Sequence, residues 1–137
     1  MERIIPTGRK REFGFTMVEL MIVMAIIVIL ISIAIPQYQK AIIRAKESVL
    51  HNNLFTMRQV IDEYTADKKK APQSLQDLVA GGYLRDIPID PMTGSNQTWR
   101  TIMEDMLQAV DQTEPGIYDV QSGSDKTGLD GRAYADY

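Results

Sequence analysis

The chain has 137 residues, with 15 Lys and Arg against 18 Asp and Glu, and no cysteine. That length allows one membrane segment plus at most one small domain, and the missing sulfur excludes disulfide staples, thiolate chemistry and zinc sites built on cysteine. The formal charge of −3 is unevenly placed: residues 1–14 hold Arg3, Arg9, Lys10 and Arg11 against Glu2 and Glu12, a net +2, so the remainder carries −5. A net-acidic body argues against nucleic acid as a partner, because phosphate binding needs a basic face.

Residues 1–14, MERIIPTGRKREFG, are short and basic, and the apolar run begins directly after them. From Leu20 to Ile35 only Ser32 is polar. With the lead-in Phe15–Val18 the segment reaches about 20 residues, enough to cross a bilayer as a helix. Arg9, Lys10 and Arg11 hold the N-terminal side in the cytoplasm and send the C-terminus out. A secretory signal peptide is the rival reading, supported by the small-x-small pattern Ser32-Ile33-Ala34. Against it, the run is longer than the usual roughly 7–15-residue apolar region, contains an acid, and is followed by Pro36 just past the supposed cut. The acid is Glu19. Left deep in lipid it would cost about 2.5–3.5 kcal/mol, so it requires a partner.

The order Gly14-Phe15-Thr16-Met17-Val18-Glu19-Leu20, after a basic leader, resembles the class III leader junction of type IV pilins and type II secretion pseudopilins. The resemblance implies a prepilin peptidase that cuts after Gly14 and methylates the new amino group of Phe15. Glu19 then becomes the fifth mature residue, and Pro36 takes the place of the family's helix-breaking proline. Physical chemistry agrees with that reading. An amine on Phe15 is a cation one helical turn from Glu19, and the amine of a neighbouring copy is an equally good partner, which would fix an axial offset between subunits. The plainer alternative is a signal anchor whose Glu19 sits at the membrane interface.

Residues 15–36 are therefore expected to form a transmembrane and polymerisation helix, kinked or locally melted at Pro36. Residues 37–70 continue it as an amphipathic helix. Ile43, Leu50, Leu54, Met57, Ile61 and Tyr64 recur as one stripe, widened by Ile42, Val49 and Val60. The helix should end near Asp67, with Lys68, Lys69 and Lys70 suiting its negative end. If continuous it would reach roughly 75 Å at 1.5 Å per residue. His51, the only histidine, has no cysteine or clustered acids near it in sequence and reads as solvated or packed.

Residues 71–137 form the expected globular part. Ser74-Leu75-Gln76-Asp77 resembles a capping box that opens a short helix, Leu75 to Ala80, stopped by Gly81-Gly82. Tyr83, Leu84 and Ile87 should pack back on the long helix. Pro88 to Pro91 and Thr93-Gly94 are turn chemistry. Thr98 to Met103 alternates as a strand with Trp99 as an anchor, and Ile117 to Gln121 reads as its antiparallel hairpin partner. Residues 104–115 read as an irregular connection. The fold class is α+β, a long N-terminal helix packed on a small antiparallel sheet, with an Asp/Gly loop at the end. The resemblance adds a third short strand near Arg132–Tyr134 and a pilin-like lollipop.

Residues 122–137, SGSDKTGLDGRAYADY, carry too few large apolar groups to hold one shape by burial alone. Calcium would hold such a loop through hard oxygen ligands, although the spacing is not that of an EF-hand. The loop resembles the C-terminal loop of G-type major pseudopilins. That likeness implies Ca²⁺ ligation by Asp125 and Asp136, with Ser122 offering a backbone carbonyl. Gln121 and Asp130 depart from the pattern.

Taken together, the sequence reads as a structural subunit: the major pseudopilin of a type II secretion system, polymerising into a periplasmic fibre that drives folded proteins across the outer membrane. The resemblance implies as partners other copies of the chain, minor pseudopilins, the prepilin peptidase, and an inner-membrane assembly platform with a cytoplasmic ATPase. The chain has no phosphate-binding loop of its own. A type IV pilin forming a surface fibre is the alternative, although many such pilins close the C-terminal loop with a disulfide. An enzyme is not expected: only Asp119, Asp125, Asp130 and Asp136 could supply chemistry, and they lie in or beside a loop with no pocket apparent in sequence.

Overall fold

A computed structural model of the chain describes residues 14–105 and 114–137. The expected leader 1–14, apart from Gly14, and most of the 104–115 connection lie outside the described residues. The chain divides into two compact units, Met1–Tyr38 and Gln39–Tyr137.

The first unit carries the start of helix α1, Met17–Lys68. Thr16 caps it: the backbone N–H of Glu19 donates to Thr16 Oγ1 at 3.2 Å, and that of Leu20 to the Thr16 carbonyl at 3.1 Å. This satisfies donors that a helix N-terminus otherwise leaves free. α1 runs through Pro36, so the local melting expected there does not occur. Proline removes one backbone donor, that for the Ser32 carbonyl, and one lost bond does not end a helix whose neighbours keep theirs. Ser32 itself folds back, its hydroxyl donating to the Val28 carbonyl at 2.7 Å.

In the second unit the apolar stripe of α1 meets its partners. Leu50, Leu54, Met57, Val60 and Ile61 are buried with Leu75, Leu78, Trp99, Ile117, Val120 and Tyr134, and Tyr64, Tyr83, Leu84 and Ile87 pack against this cluster. The N-terminal part of the stripe is not covered. Ile42, Ile43 and Val49 remain exposed, and the buried part of the stripe begins at Leu50. Helix α2, Leu75–Ala80, opens on Asp77, whose Oδ2 accepts the backbone N–H groups of Gln73 and Ser74, each at 2.9 Å. It closes where Gly82 takes a positive φ of 79°.

Strands β1, Arg100–Met103, and β2, Ile117–Gln121, pair antiparallel, with Arg100 opposite Gln121 and a register shift between Ile102 and Met103. β2 turns Ile117 and Val120 into the core. β1 is exposed along its length, contrary to the alternation read from its sequence, since Trp99 just before it supplies the apolar anchor. Trp99 is held by its Nε1–H, which donates to the Pro88 carbonyl at 2.7 Å. Near Arg132–Tyr134 there is no third strand. A single bridge joins Thr127 to Ala133, and a 3₁₀ turn follows at Tyr134–Asp136. The 3₁₀ turn keeps the Tyr134 ring in the core.

Gly123 is fixed by contact: a Cβ built there would lie 1.9 Å from the Thr98 carbonyl oxygen. Gly123→Ala is therefore expected to destabilise the chain by about 3 kcal/mol, at the upper end of overpacking penalties. Denaturant unfolding of the full chain in detergent, read by tryptophan fluorescence, measures it.

Candidate functional site

Two regions carry the residues that chemistry singles out. In the first unit every large apolar side chain from Phe15 to Ile35 is exposed, and none of the apolar window long enough to cross a membrane is buried within the protein. Glu19 lies in the first turn of α1. Its backbone N–H is taken by Thr16, while its carboxylate has no hydrogen bond or ion pair among the described residues. Gly14 and Phe15 precede the helix and are exposed, so the Gly14–Phe15 bond is accessible.

In the second unit the C-terminal loop is tied to α1 at two places. Arg58 donates through Nε to Asp119 Oδ1 at 2.6 Å, and through Nη2 to the Val120 carbonyl at 3.1 Å and the main-chain oxygen of Tyr137 at 2.7 Å. Earlier on α1, Glu47 Oε1 accepts the Leu129 N–H at 2.8 Å and the Tyr134 hydroxyl at 3.0 Å. Asp130 accepts from the Arg132 N–H, the Arg132 Nε–H at 2.8 Å and the Tyr137 hydroxyl at 2.9 Å. The Arg132 guanidinium also lies over the Tyr137 ring, and His51, itself exposed, meets the same ring at a centroid distance of 4.7 Å.

These contacts shift titrations. The Arg132 backbone N–H, its guanidinium and the Tyr137 hydroxyl hold Asp130 down at about 2. Burial, then the hydrogen bond to Glu47, pushes the Tyr134 hydroxyl up to about 12.

The residues suited to calcium do not meet as one ligand set. The Asp125 side chain is 87% exposed and pairs with Arg100 Nη2 at 2.5 Å. Asp136 is exposed, with no side-chain partner among the described residues. Ser122 is fully buried, and its hydroxyl donates to Asp90 at 2.6 Å. Among the described residues no group of three or more His, Asp or Glu is arranged to hold a metal. As placed, this donor set does not fit a calcium ion.

Asp90, which the sequence reading treats only as turn chemistry, is the most deeply buried acid among the described residues of the second unit. It is fully buried and accepts from the Ser122 hydroxyl, from the Gly123 N–H at 3.2 Å and from the Met92 N–H at 2.8 Å. It thereby joins the turn before β1 to the end of β2. The Asp-Pro turn flanked by Ile87 and Ile89 was the available signal.

Comparison with known proteins places this geometry. Residues 9–35 match the family model described as the prokaryotic N-terminal methylation motif. The type II secretion system core protein G of Klebsiella pneumoniae is 30% identical over 98 residues, 60% of this chain and 70% of that protein. Core protein G of Pseudomonas aeruginosa is 28% identical over 99 residues, 61% of this chain and 70% of that protein. The type IV major fimbrial protein FimA of Dichelobacter nodosus is 50% identical over 60 residues. The chain belongs to the type IV pilin-like family. Its match to FimA spans 44% of this chain and only 38% of the length of that relative. No solved structure shows a significant match.

Within this pilin-like chain the matched motif contains Gly14, Phe15 and Glu19 and stops just short of Pro36. Its apolar helix and small antiparallel sheet are the α+β arrangement expected of the family. Thr16, as the helix cap, is a residue whose role the sequence reading left unassigned.

Asp130 yields a pH test. Its folded value near 2 lies below its ordinary 3.8, so its contribution is present above the ordinary value and drains away as pH falls through about 2. The difference in thermal midpoint between the native chain and Asp130→Asn should be constant near neutrality and shrink as pH drops through that window. Circular dichroism melts across acid pH check it.

Proposed function

We propose that this chain is the major subunit of a type II secretion pseudopilus, a periplasmic fibre that moves folded proteins across the outer membrane. The observation that carries the reading is the breadth of its likeness to core protein G. That likeness covers about 60% of this chain and 70% of the relatives, against 38% of FimA. In this reading residues 1–14 are a leader in the cytoplasm, and the C-terminal unit lies in the periplasm. A prepilin peptidase cuts after Gly14 and methylates Phe15, consistent with the methylation motif over residues 9–35. The free amine then lies about one helical turn from Glu19, and the amine of an adjacent copy offers the same partner. The subunit is held in the inner membrane by Phe15–Pro36 until an assembly platform, driven by a cytoplasmic ATPase, adds it to the fibre with minor pseudopilins.

A second reading, a type IV fimbrial subunit on the cell surface, is favoured by the 50% identity to FimA over 60 residues. Both readings use the same helix and the same Glu19, so deletion of the gene separates them. Loss of an exported enzyme from the medium, with that enzyme retained in the periplasm, supports the secretion role. Loss of surface fibres with secretion intact supports the fimbrial one.

Glu19→Val should be cleaved normally but should lower fibre yield by about tenfold or more, the equivalent of losing one stabilising ion pair per added subunit. A bulky residue at Gly14 should instead leave uncut precursor in the membrane. Immunoblots of membrane and sheared-fibre fractions distinguish the two defects.

A further inference from the structure

We infer that the C-terminal loop of this chain is closed by two side chains of α1, Arg58 and Glu47, in the role that a bound calcium ion would otherwise fill. The inference concerns the second unit alone and holds for either kind of fibre.

A calcium ion orders a polar loop by gathering carboxylate and carbonyl oxygens around one positive centre. The Arg58 guanidinium gathers the same class of acceptor: the Asp119 carboxylate, the Val120 carbonyl and the main-chain oxygen of Tyr137. Val120 and Tyr137 bracket the loop, so a single cation joins its two ends. A guanidinium suits this task because its planar fork offers five donors and stays charged at any physiological pH. A fully exposed pair would contribute little. Here the Arg58 and Asp119 side chains are only 37% and 27% exposed, and two of the three bonds go to main-chain oxygens.

Glu47 holds the middle of the loop. It lies about three helical turns before Arg58 on α1 and accepts both the Leu129 N–H and the Tyr134 hydroxyl. The loop fits closely against this point: a Cβ at Gly128 would stand 2.6 Å from the Tyr137 hydroxyl and 2.9 Å from Glu47 Oε1. Tyr134 adds a buried ring, only 3% exposed, to a segment with few other apolar groups.

The acids that a metal would need are disposed otherwise. Asp125 is paired with Arg100, Asp130 is occupied by Arg132 and Tyr137, and Asp136 faces outward. A calcium ion entering here would have to break the Arg100 pair and rearrange the loop to collect its ligands. Nothing in the clamp requires that step.

The test uses the full chain in detergent, with thermal melts and amide hydrogen exchange over residues 122–137. For the unsubstituted chain, EDTA followed by excess CaCl₂ should change neither the melting midpoint nor loop exchange. Arg58→Gln should speed loop exchange by about tenfold or more, the equivalent of roughly 1.4 kcal/mol, while amides of α1 between Leu50 and Ile61 keep their protection. Glu47→Ala should speed exchange around Leu129 and Tyr134, and CaCl₂ should not restore it. The inference is overturned if EDTA loosens the loop or lowers the midpoint, or if CaCl₂ raises it in the unsubstituted chain. It is equally overturned if both substitutions leave loop exchange unchanged. The EDTA and CaCl₂ arms decide the matter even if Arg58→Gln fails to fold.

Discussion

A carboxylate on an apolar helix, with no hydrogen bond or ion pair among the described residues, is the constraint on which the first unit depends. Glu19 stands among exposed Phe15, Met17, Val18, Leu20 and Met21, and Thr16 has already taken the backbone N–H of its residue. The positive end of the helix dipole offers such an acid about 0.3–1 kcal/mol in most settings. Burying it in lipid costs about 2.5–3.5 kcal/mol. The dipole therefore offsets only part of the cost, and a full positive charge has to supply the rest. In the uncut chain the nitrogen of Phe15 is an amide and cannot do so. Cutting after Gly14 would turn it into an amine, so processing and the need of Glu19 fit together physically.

The second unit answers a different problem. It has to hold about a hundred residues without a disulfide, on a sheet of two strands. A two-stranded hairpin is marginal alone and needs a packing partner. That partner is α1, whose Leu50, Leu54, Met57 and Ile61 lie under Ile117 and Val120. The polar interior is equally specified. Asp90 sits at zero exposure among three donors, and Gly123 leaves no room for a side chain beside Thr98. Both devices bind the Pro88–Thr98 turns to the end of β2, so the hairpin is held from the turn side as well as from the helix side.

The elements were readable where one force dominates. The stripe from Leu50 to Ile61, the Asp77 opening of α2 and the β-rich Ile117–Gln121 run each follow a local rule, and all three stand where the sequence places them. Pro36 does not interrupt the helix, because one lost hydrogen bond weighs less than the apolar helix on both sides of it. Ile42, Ile43 and Val49 were assigned to the covered stripe because periodicity tells which face they share, not how far the covering elements extend. Gly14, Phe15 and Glu19 were conspicuous since a basic leader, a small residue and a lone acid stand out against an apolar run. Asp90 was not, because its importance comes from Ser122, more than thirty residues away.

The loop at the end of the chain shows what composition alone leaves out. An Asp- and Gly-rich segment looks unable to order itself, and a metal is the simplest remedy. That view counts the acids of the segment and omits the cations that fold toward it. Arg58 comes from the helix, Arg100 from the neighbouring strand and Arg132 from the loop itself, and each engages one aspartate. The two remedies also differ in kind. A metal stabilises according to its free concentration relative to its dissociation constant, so the order it confers varies with the surroundings. A guanidinium carried on α1 is always present at the site it serves, and its bonds form as the helix and hairpin pack. The order of this loop is then a consequence of the same packing that buries Leu54 and Val120, and it arises within the fold without a separate binding event.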